Sequence, residues 1–267
     1  MKYQKPLITA LVIIIIAVGI AFIVSKKRSG ETRIDESETQ IKTTENTDAI
    51  TMQPEMISVA EDSYLHGISG YYPKFTQTDE SFNKKIEQFA ISGVTEFKKE
   101  ADANYKAQLE TGGDDFLKQF ENGGMYTYQI KTNIIQSNNN FISMTIIIAG
   151  YSGGAHGYET TTSFNYDVKN KKEIELDYFF PNNSNVLKTV SDISRSQLTP
   201  KIQEAMDQKT LDPFTKEMLA DGTDPLKPVN FKVFTFTNDT LTIYFGQYQV
   251  AAYAYGQFTV DIPRNNI

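Results

Sequence analysis

The sequence has no cysteine and only two histidines, His66 and His156, in its 267 residues. The first absence excludes disulfides, thiolate metal sites, a cysteine nucleophile and a lipid anchor on an N-terminal cysteine. Redox chemistry therefore does not fix the compartment. Two imidazoles cannot build a three-His zinc site, and neither stands in an H-E-x-x-H or similar spacing with carboxylates, so no metal or other cofactor is expected. Apolar runs long enough for a bilayer are also scarce. Residues 7–24 form one, interrupted only by Thr9, and at about 1.5 Å per residue it reaches about 27 Å, close to the hydrocarbon thickness. It ends directly in Ser25-Lys26-Lys27-Arg28 rather than in a small-x-small cleavage site, which favours a retained anchor over a removed signal peptide. Lys2 and Lys5 on one side face Lys26, Lys27, Arg28 and Arg33 on the other, so charge alone leaves the orientation open.

Residues 25–56 are rich in Ser, Thr, Glu and Asp, with isolated Ile34, Ile41 and Ile50 that follow no period, and they read as a flexible tether. The formal net charge is −7, and residues 1–56 carry equal numbers of acids and bases, so the whole excess lies in 57–267. An acidic folded part argues against nucleic acid and anionic membrane surfaces as partners, and for a neutral or cationic one.

A short strand is expected from residue 57 toward 65, followed by an extended turn at Tyr71-Tyr72-Pro73. Thr78 or Asp79 can cap a helix whose stripe runs through Phe82, Ile86, Phe89, Ala90, Val94, Phe97 and Ala101. Gly112-Gly113 and Gly123-Gly124 bracket a shorter segment containing Phe116 and Phe120. Residues 125–136 alternate as a half-buried strand, and 141–151 return as a nearly continuous apolar strand after a Ser-Asn turn. Residues 160–168 alternate again. Val186, Leu187, Val190, Ile193 and Leu198 mark a helix that Pro200 is expected to restart, and Asp212-Pro213 opens a short helix closing near Gly222. Residues 231–237 and 240–245 make a hairpin, and 258–262 a last strand. This order predicts an α+β fold with a largely antiparallel sheet packed against amphipathic helices.

Between the strands expected at 141–151 and 160–168 lies Tyr151-Ser152-Gly153-Gly154-Ala155-His156-Gly157-Tyr158. Three glycines in five residues allow positive φ and close approach of another surface. Gly150-Tyr151-Ser152-Gly153-Gly154 also satisfies G-x-S-x-G, the nucleophile-elbow pattern. An elbow serine, however, expects its histidine on a distant later loop after an acidic residue, whereas His156 is in the same loop and His66 lies upstream. No complete catalytic constellation is visible.

That loop resembles a bacterial family that pairs a domain of unknown function numbered 4163 with another numbered 3298. The further carriers are Tyr72-Pro73 with Ser81-Phe82-Asn83, Asn165-Tyr166-Asp167 before Lys171, Leu176-Asp177 with Phe179-Phe180, and the closing segment from Tyr244-Phe245 to Tyr253-Ala254. In this chain Gln247 and Ala252 stand where the family has prolines, which predicts a less rigid closing loop. The resemblance divides the folded part into 57–150 (4163-like) and 151–267 (3298-like). It implies an extracytoplasmic binding domain of the kind found in lysozyme-sensing anti-sigma-V factors and in the noncatalytic part of PdaC-type peptidoglycan deacetylases. It also implies a single-pass cell-membrane protein with residues 1–24 as anchor and short cytoplasmic end. Only six residues precede the apolar run and no deacetylase region follows Pro263, so a sensing or binding module is expected rather than either whole protein.

The ligand implied is a lysozyme-like muramidase or a peptidoglycan fragment. Tyr151, Ser152, Gly153, Gly154, His156, Gly157, Tyr158, Tyr248 and Tyr253 are the expected contacts, the aromatic rings offering large area at little entropic cost. Two other classes compete with this reading: a serine hydrolase using Ser152, and a structural envelope protein in which the glycines merely tighten a strand connection.

Overall fold

The structure, a computed structural model, describes residues 52–118 and 126–264. The span expected at 7–24 and most of the tether expected at 25–56 lie outside these residues. Among the described residues no helix is long and apolar enough to cross a membrane.

Alternation in the sequence becomes the two faces of a large sheet. Strand β4 (Tyr126–Ser137) turns Tyr126, Tyr128 and Ile130 into the core and leaves Thr127, Gln129 and Lys131 exposed, until a bulge between Ile134 and Gln136 shifts the register. It pairs antiparallel with β5 (Phe141–Tyr151), which pairs antiparallel with β6 (Tyr158–Asp167), and β6 ends beside the two-residue β7 (Lys172–Glu173). On the other side β4 runs parallel to β3 (His66–Lys74), whose outer edge is taken by β1 (Glu55–Ser58) and β2 (Glu61–Asp62). The seven-stranded sheet is thus antiparallel except at β3–β4.

Several expectations are corrected here. The strand expected over 57–65 is two short pieces, and Tyr71-Tyr72-Pro73 is strand rather than turn. Pro73 is tolerated because β3 pairs with β4 only as far as Gly70, so its missing N–H breaks no rung on that side. The fold also begins before residue 57. Met52 is buried in the core, its N–H donates to Ser137 O at 3.0 Å, and Ser137 Oγ donates back to Met52 O at 2.8 Å.

Helix α1 (Glu80–Leu117) lies over one face of this sheet. Asp79 caps it, accepting from Phe82 N at 2.8 Å. The same carboxylate accepts from Ser81 Oγ and, through its other oxygen, from Tyr166 Oη at 2.7 Å, and these bonds hold its pKa down at about 2. Phe82, Ile86, Ala90, Phe97 and Ala101 are buried, as the stripe predicts. The expected break at Gly112-Gly113 does not occur, and the backbone stays helical to Leu117. Phe120, Gly123 and Gly124 lie outside the described residues.

The second half builds its own core. After β7, a 3-10 turn at Leu176–Phe179 leads to α2 (Val186–Ala205) and α3 (Pro213–Gly222), then to the antiparallel sheet β10-β9-β8, with β8 at Phe234–Phe236, β9 at Thr240–Phe245 and β10 at Phe258–Pro263. Helix α2 is not restarted at Pro200, because fully buried Leu198 and Ile202 carry one apolar seam across it. Helix α3 starts as predicted, with Asp212 accepting from Thr215 N at 3.0 Å and Pro213 in the first turn. The expected strand over 231–237 is shorter, since Phe231 closes a 3-10 turn at Pro228–Phe231. The first core spans residues 52–166 and the second 174–262.

The two sheets are joined by polar side chains. Ser143 on β5 and Asn165 on β6, both buried, share a 2.7 Å hydrogen bond. Asn165 Nδ2 donates to Phe234 O, and Phe236 N donates to Ser143 Oγ, at 2.7 and 2.8 Å. Phe234 N donates to Ser163 Oγ at 3.0 Å. Backbone groups of β8 that face away from β9 are therefore satisfied by side chains of the large sheet.

Candidate binding site

The six residues between β5 and β6 form a loop whose shape its glycines permit. Gly153 and Gly154 hold φ of +111° and +99°, a region that side chains with Cβ rarely adopt. At the foot of the loop a Cβ on Gly157 would lie 2.8 Å from Gly150 O. Helix α1 fixes the other side. Asn104 Nδ2 donates to Ser152 O at 2.7 Å, and Ser152 Oγ donates to the Glu100 carboxylate at 3.3 Å.

His156 projects from this frame and is exposed. Its Nδ1 lies 2.8 Å from Gly157 O, and because a carbonyl can only accept, Nδ1 carries the proton. The imidazole stacks on Tyr253, with ring centroids 4.0 Å apart and planes 24° apart. Tyr253 Oη donates to the same Gly157 O at 2.9 Å, so two side chains clasp one carbonyl. Tyr248 completes the group: its ring lies 5.5 Å from that of Tyr253, and its Oη is 3.5 Å from His156 Nε2. Tyr151 closes the loop on itself, its Oη donating to Gly154 O at 3.1 Å.

The structure thus brings together Tyr151, Gly153, Gly154, His156, Gly157, Tyr248 and Tyr253, although more than 90 residues separate His156 from Tyr248 and Tyr253 along the chain. Two expected contacts fall elsewhere. Tyr158 packs on Gly150 on the sheet face that meets α1, where burial and then the Glu100 carboxylate push its pKa up. Ser152 is buried, its hydroxyl spent on Glu100.

This geometry does not assemble the elbow chemistry. His156 is bonded to Gly157 O and approached by Tyr248, while His66 Nδ1 lies 3.2 Å from Ser63 Oγ and its ring lies against Phe97. Among the described residues neither imidazole shares a hydrogen bond with Ser152, and no three His, Cys, Asp or Glu side chains gather as a metal-holding group.

The aromatic loop is tied down by side-chain hydrogen bonds. Gln249 Oε1 accepts from Gly246 N at 3.0 Å, and its Nε2 donates to Gly222 O and Asn230 O at 3.1 and 3.0 Å. Val250 and Ala251 are buried beneath it. Tyr248 sits at the apex with φ +65°. Glu100, Asn104 and Gln249, none of them foreseen from sequence, hold the two loops in place; each is a lone polar residue with at least one partner far along the chain.

Comparison with known proteins divides the chain much as its cores do. Residues 177–265 match the family described as "Protein of unknown function (DUF3298)", and residues 58–159 match the family described as "Deacetylase PdaC". A curated relative, the peptidoglycan-N-acetylmuramic acid deacetylase PdaC of Bacillus subtilis, is 24% identical over 79% of this chain, and this chain spans 40% of that protein's length. Among solved structures, a DUF3298-family member from Bacteroides fragilis is 21% identical, aligns with 82% of this chain and 92% of its own, and shares the fold at a TM-score of 0.51. A DUF3298-family protein from Pseudomonas aeruginosa gives a TM-score of 0.48 at 13% identity, over 80% of this chain and 93% of its own.

Proposed function

We propose that residues 52–264 form a binding domain that recognises a cell-wall ligand, either a lysozyme-like muramidase or a peptidoglycan fragment, through the clasp of His156, Tyr248 and Tyr253. The observation that carries this reading is the stacking of exposed His156 on Tyr253, which joins a glycine loop from the first half to an aromatic loop from the second. Rings fixed in this way present area and hydrogen-bond groups with little left to order on binding. The match of 58–159 to a family named for PdaC, and the peptidoglycan substrate in the relative's name, support a cell-wall ligand. The acidic excess of the folded part suits a basic muramidase.

Residues 7–24 are proposed as a membrane anchor that leaves the domain outside the cytoplasm. A reporter fused after residue 267 tests this: activity that requires an extracytoplasmic location is expected, and cytoplasmic activity ends both the topology and the cell-wall ligand.

The ligand is tested by capture on the immobilised full-length chain, offering egg-white lysozyme and a muropeptide digest separately. His156→Ala should weaken capture by about 1–3 kcal/mol while leaving Tm nearly unchanged, because Gly157 O keeps its bond from Tyr253. If His156→Ala instead unfolds the domain and binding falls only with the folded fraction, the histidine is a structural clasp and the recognition surface lies elsewhere.

A further inference from the structure

Helix α3 has two faces that differ from the usual apolar and polar pair. Thr215, Leu219 and Gly222 are buried against the second core. Phe214, Glu217, Met218 and Asp221, at the i, i+3, i+4, i+7 spacing of one helix face, line instead a cleft of ≈ 270 Å³ whose other wall is Tyr248 and Gln249. Phe214 is 64% exposed and Tyr248 56%, so two aromatic rings stand open on one cleft. Asp221 is paired with Lys227, whereas Glu217 has no ion pair among the described residues.

The cleft is held open by close packing behind it. A Cβ on Gly222 would lie 2.0 Å from Gln249 O, so only glycine lets the turn at 247–249 rest on the end of α3. Gln249 then ties that turn to Gly222 O and Asn230 O, and Tyr248 is presented at positive φ. Tyr248 is also the residue that approaches His156 Nε2, so cleft and clasp share one wall.

We propose that this cleft is a subsite for a cationic side chain, arginine above all, on the surface of a basic protein. Aromatic faces beside a carboxylate suit a planar guanidinium, which is weakly hydrated and can stack while it donates hydrogen bonds. The net charge of −7 draws the same class of partner. The proposal rests on the clasp being a binding site and commits that reading to a protein partner, since the planar guanidinium that suits aromatic faces beside Glu217 is a protein side chain.

The full-length chain is titrated with two probes: N-acetylarginine amide, followed by NMR of tyrosine- and phenylalanine-labelled protein, and egg-white lysozyme, followed by capture. The amide should shift the Tyr248 and Phe214 signals saturably, and Glu217→Gln should abolish the shift. Glu217→Gln and Phe214→Ala should each weaken lysozyme capture about fivefold at low salt, with the Glu217→Gln deficit shrinking as salt rises. If His156→Ala weakens capture while both cleft variants bind as the parent does, the clasp stands and the subsite is refuted. If lysozyme is not captured at all, the muramidase reading fails by itself, and the arginine probe decides: shifts that Glu217→Gln removes sustain the subsite, and their absence refutes it. Capture of a neutral glycan alone, unaffected by either variant, also refutes it.

Discussion

The two halves of the molecule reach a closed core by different means. The first spreads long strands under one long helix, so its register is written mainly in backbone ladders and in the alternation of β4 and β6. The second has strands of three and six residues, too few rungs to hold themselves, and relies on side chains that bond to backbone across the interior. Ser143, Ser163 and Asn165 close one flank of its sheet, and α2 closes the other, with Gln197 Nε2 donating to Asp261 O and Lys201 Nζ to Thr259 O at 2.8 and 2.7 Å. Short strands suffice where neighbouring elements supply the missing partners.

The sharpest way to break this contrast is Gly222→Val. A side chain there must displace the Gln249 carbonyl and with it the turn bearing Tyr248, so a loss of about 3 kcal/mol or more is expected. Thermal unfolding should show the second core destabilised, and parental Tm in this variant would contradict the packing described. Next in size is Asn165→Ala, which leaves Phe234 O without its side-chain donor and the Ser143 hydroxyl without the acceptor of its proton, and should cost about 1–3 kcal/mol. A double-mutant cycle with Ser143→Ala measures the joint: strong coupling is expected, and strict additivity would mean the two residues do not act as a unit.

The smallest effect belongs to the first half and depends on pH. Asp79 has its folded pKa lowered to about 2 from the ordinary aspartate value of 3.8, so its contribution is present above the higher value and is lost as pH falls through the lower. Asp79→Asn retains a capping oxygen without the charge. Parent and variant should therefore differ in Tm at neutral pH and converge toward pH 2; a constant gap across that range would show that ionisation of Asp79 does not matter.

The elements that could be read from sequence are those whose cause is local. The stripe through Phe82 and Phe97, the cap at Asp79, the Asp212-Pro213 start and the glycine loop each carry their reason within a few residues. Pro200 misleads for the complementary reason, since its helix persists through contacts made by Leu198 and Ile202 with a distant core. His156, Tyr248 and Tyr253 stand in aromatic and glycine-rich loops that announce themselves, while Ser152 looks equally exposed until α1 and its Glu100 are known. Glu100, Asn104 and Asn165 give no local sign at all. A polar residue in a helix or strand is ordinarily solvent-facing, and only its partner many residues away shows otherwise.

The side chains that flank the small sheet also restrict how it can grow. A strand joining at β8 would have to displace Ser143, Ser163 and Asn165, and one joining at β10 would have to displace Gln197 and Lys201 from carbonyls they already occupy. Strand exchange between copies, and the fibre growth that begins with it, are thereby discouraged in this half. Crowding many copies onto one surface can then raise their local concentration without templating one chain on the next.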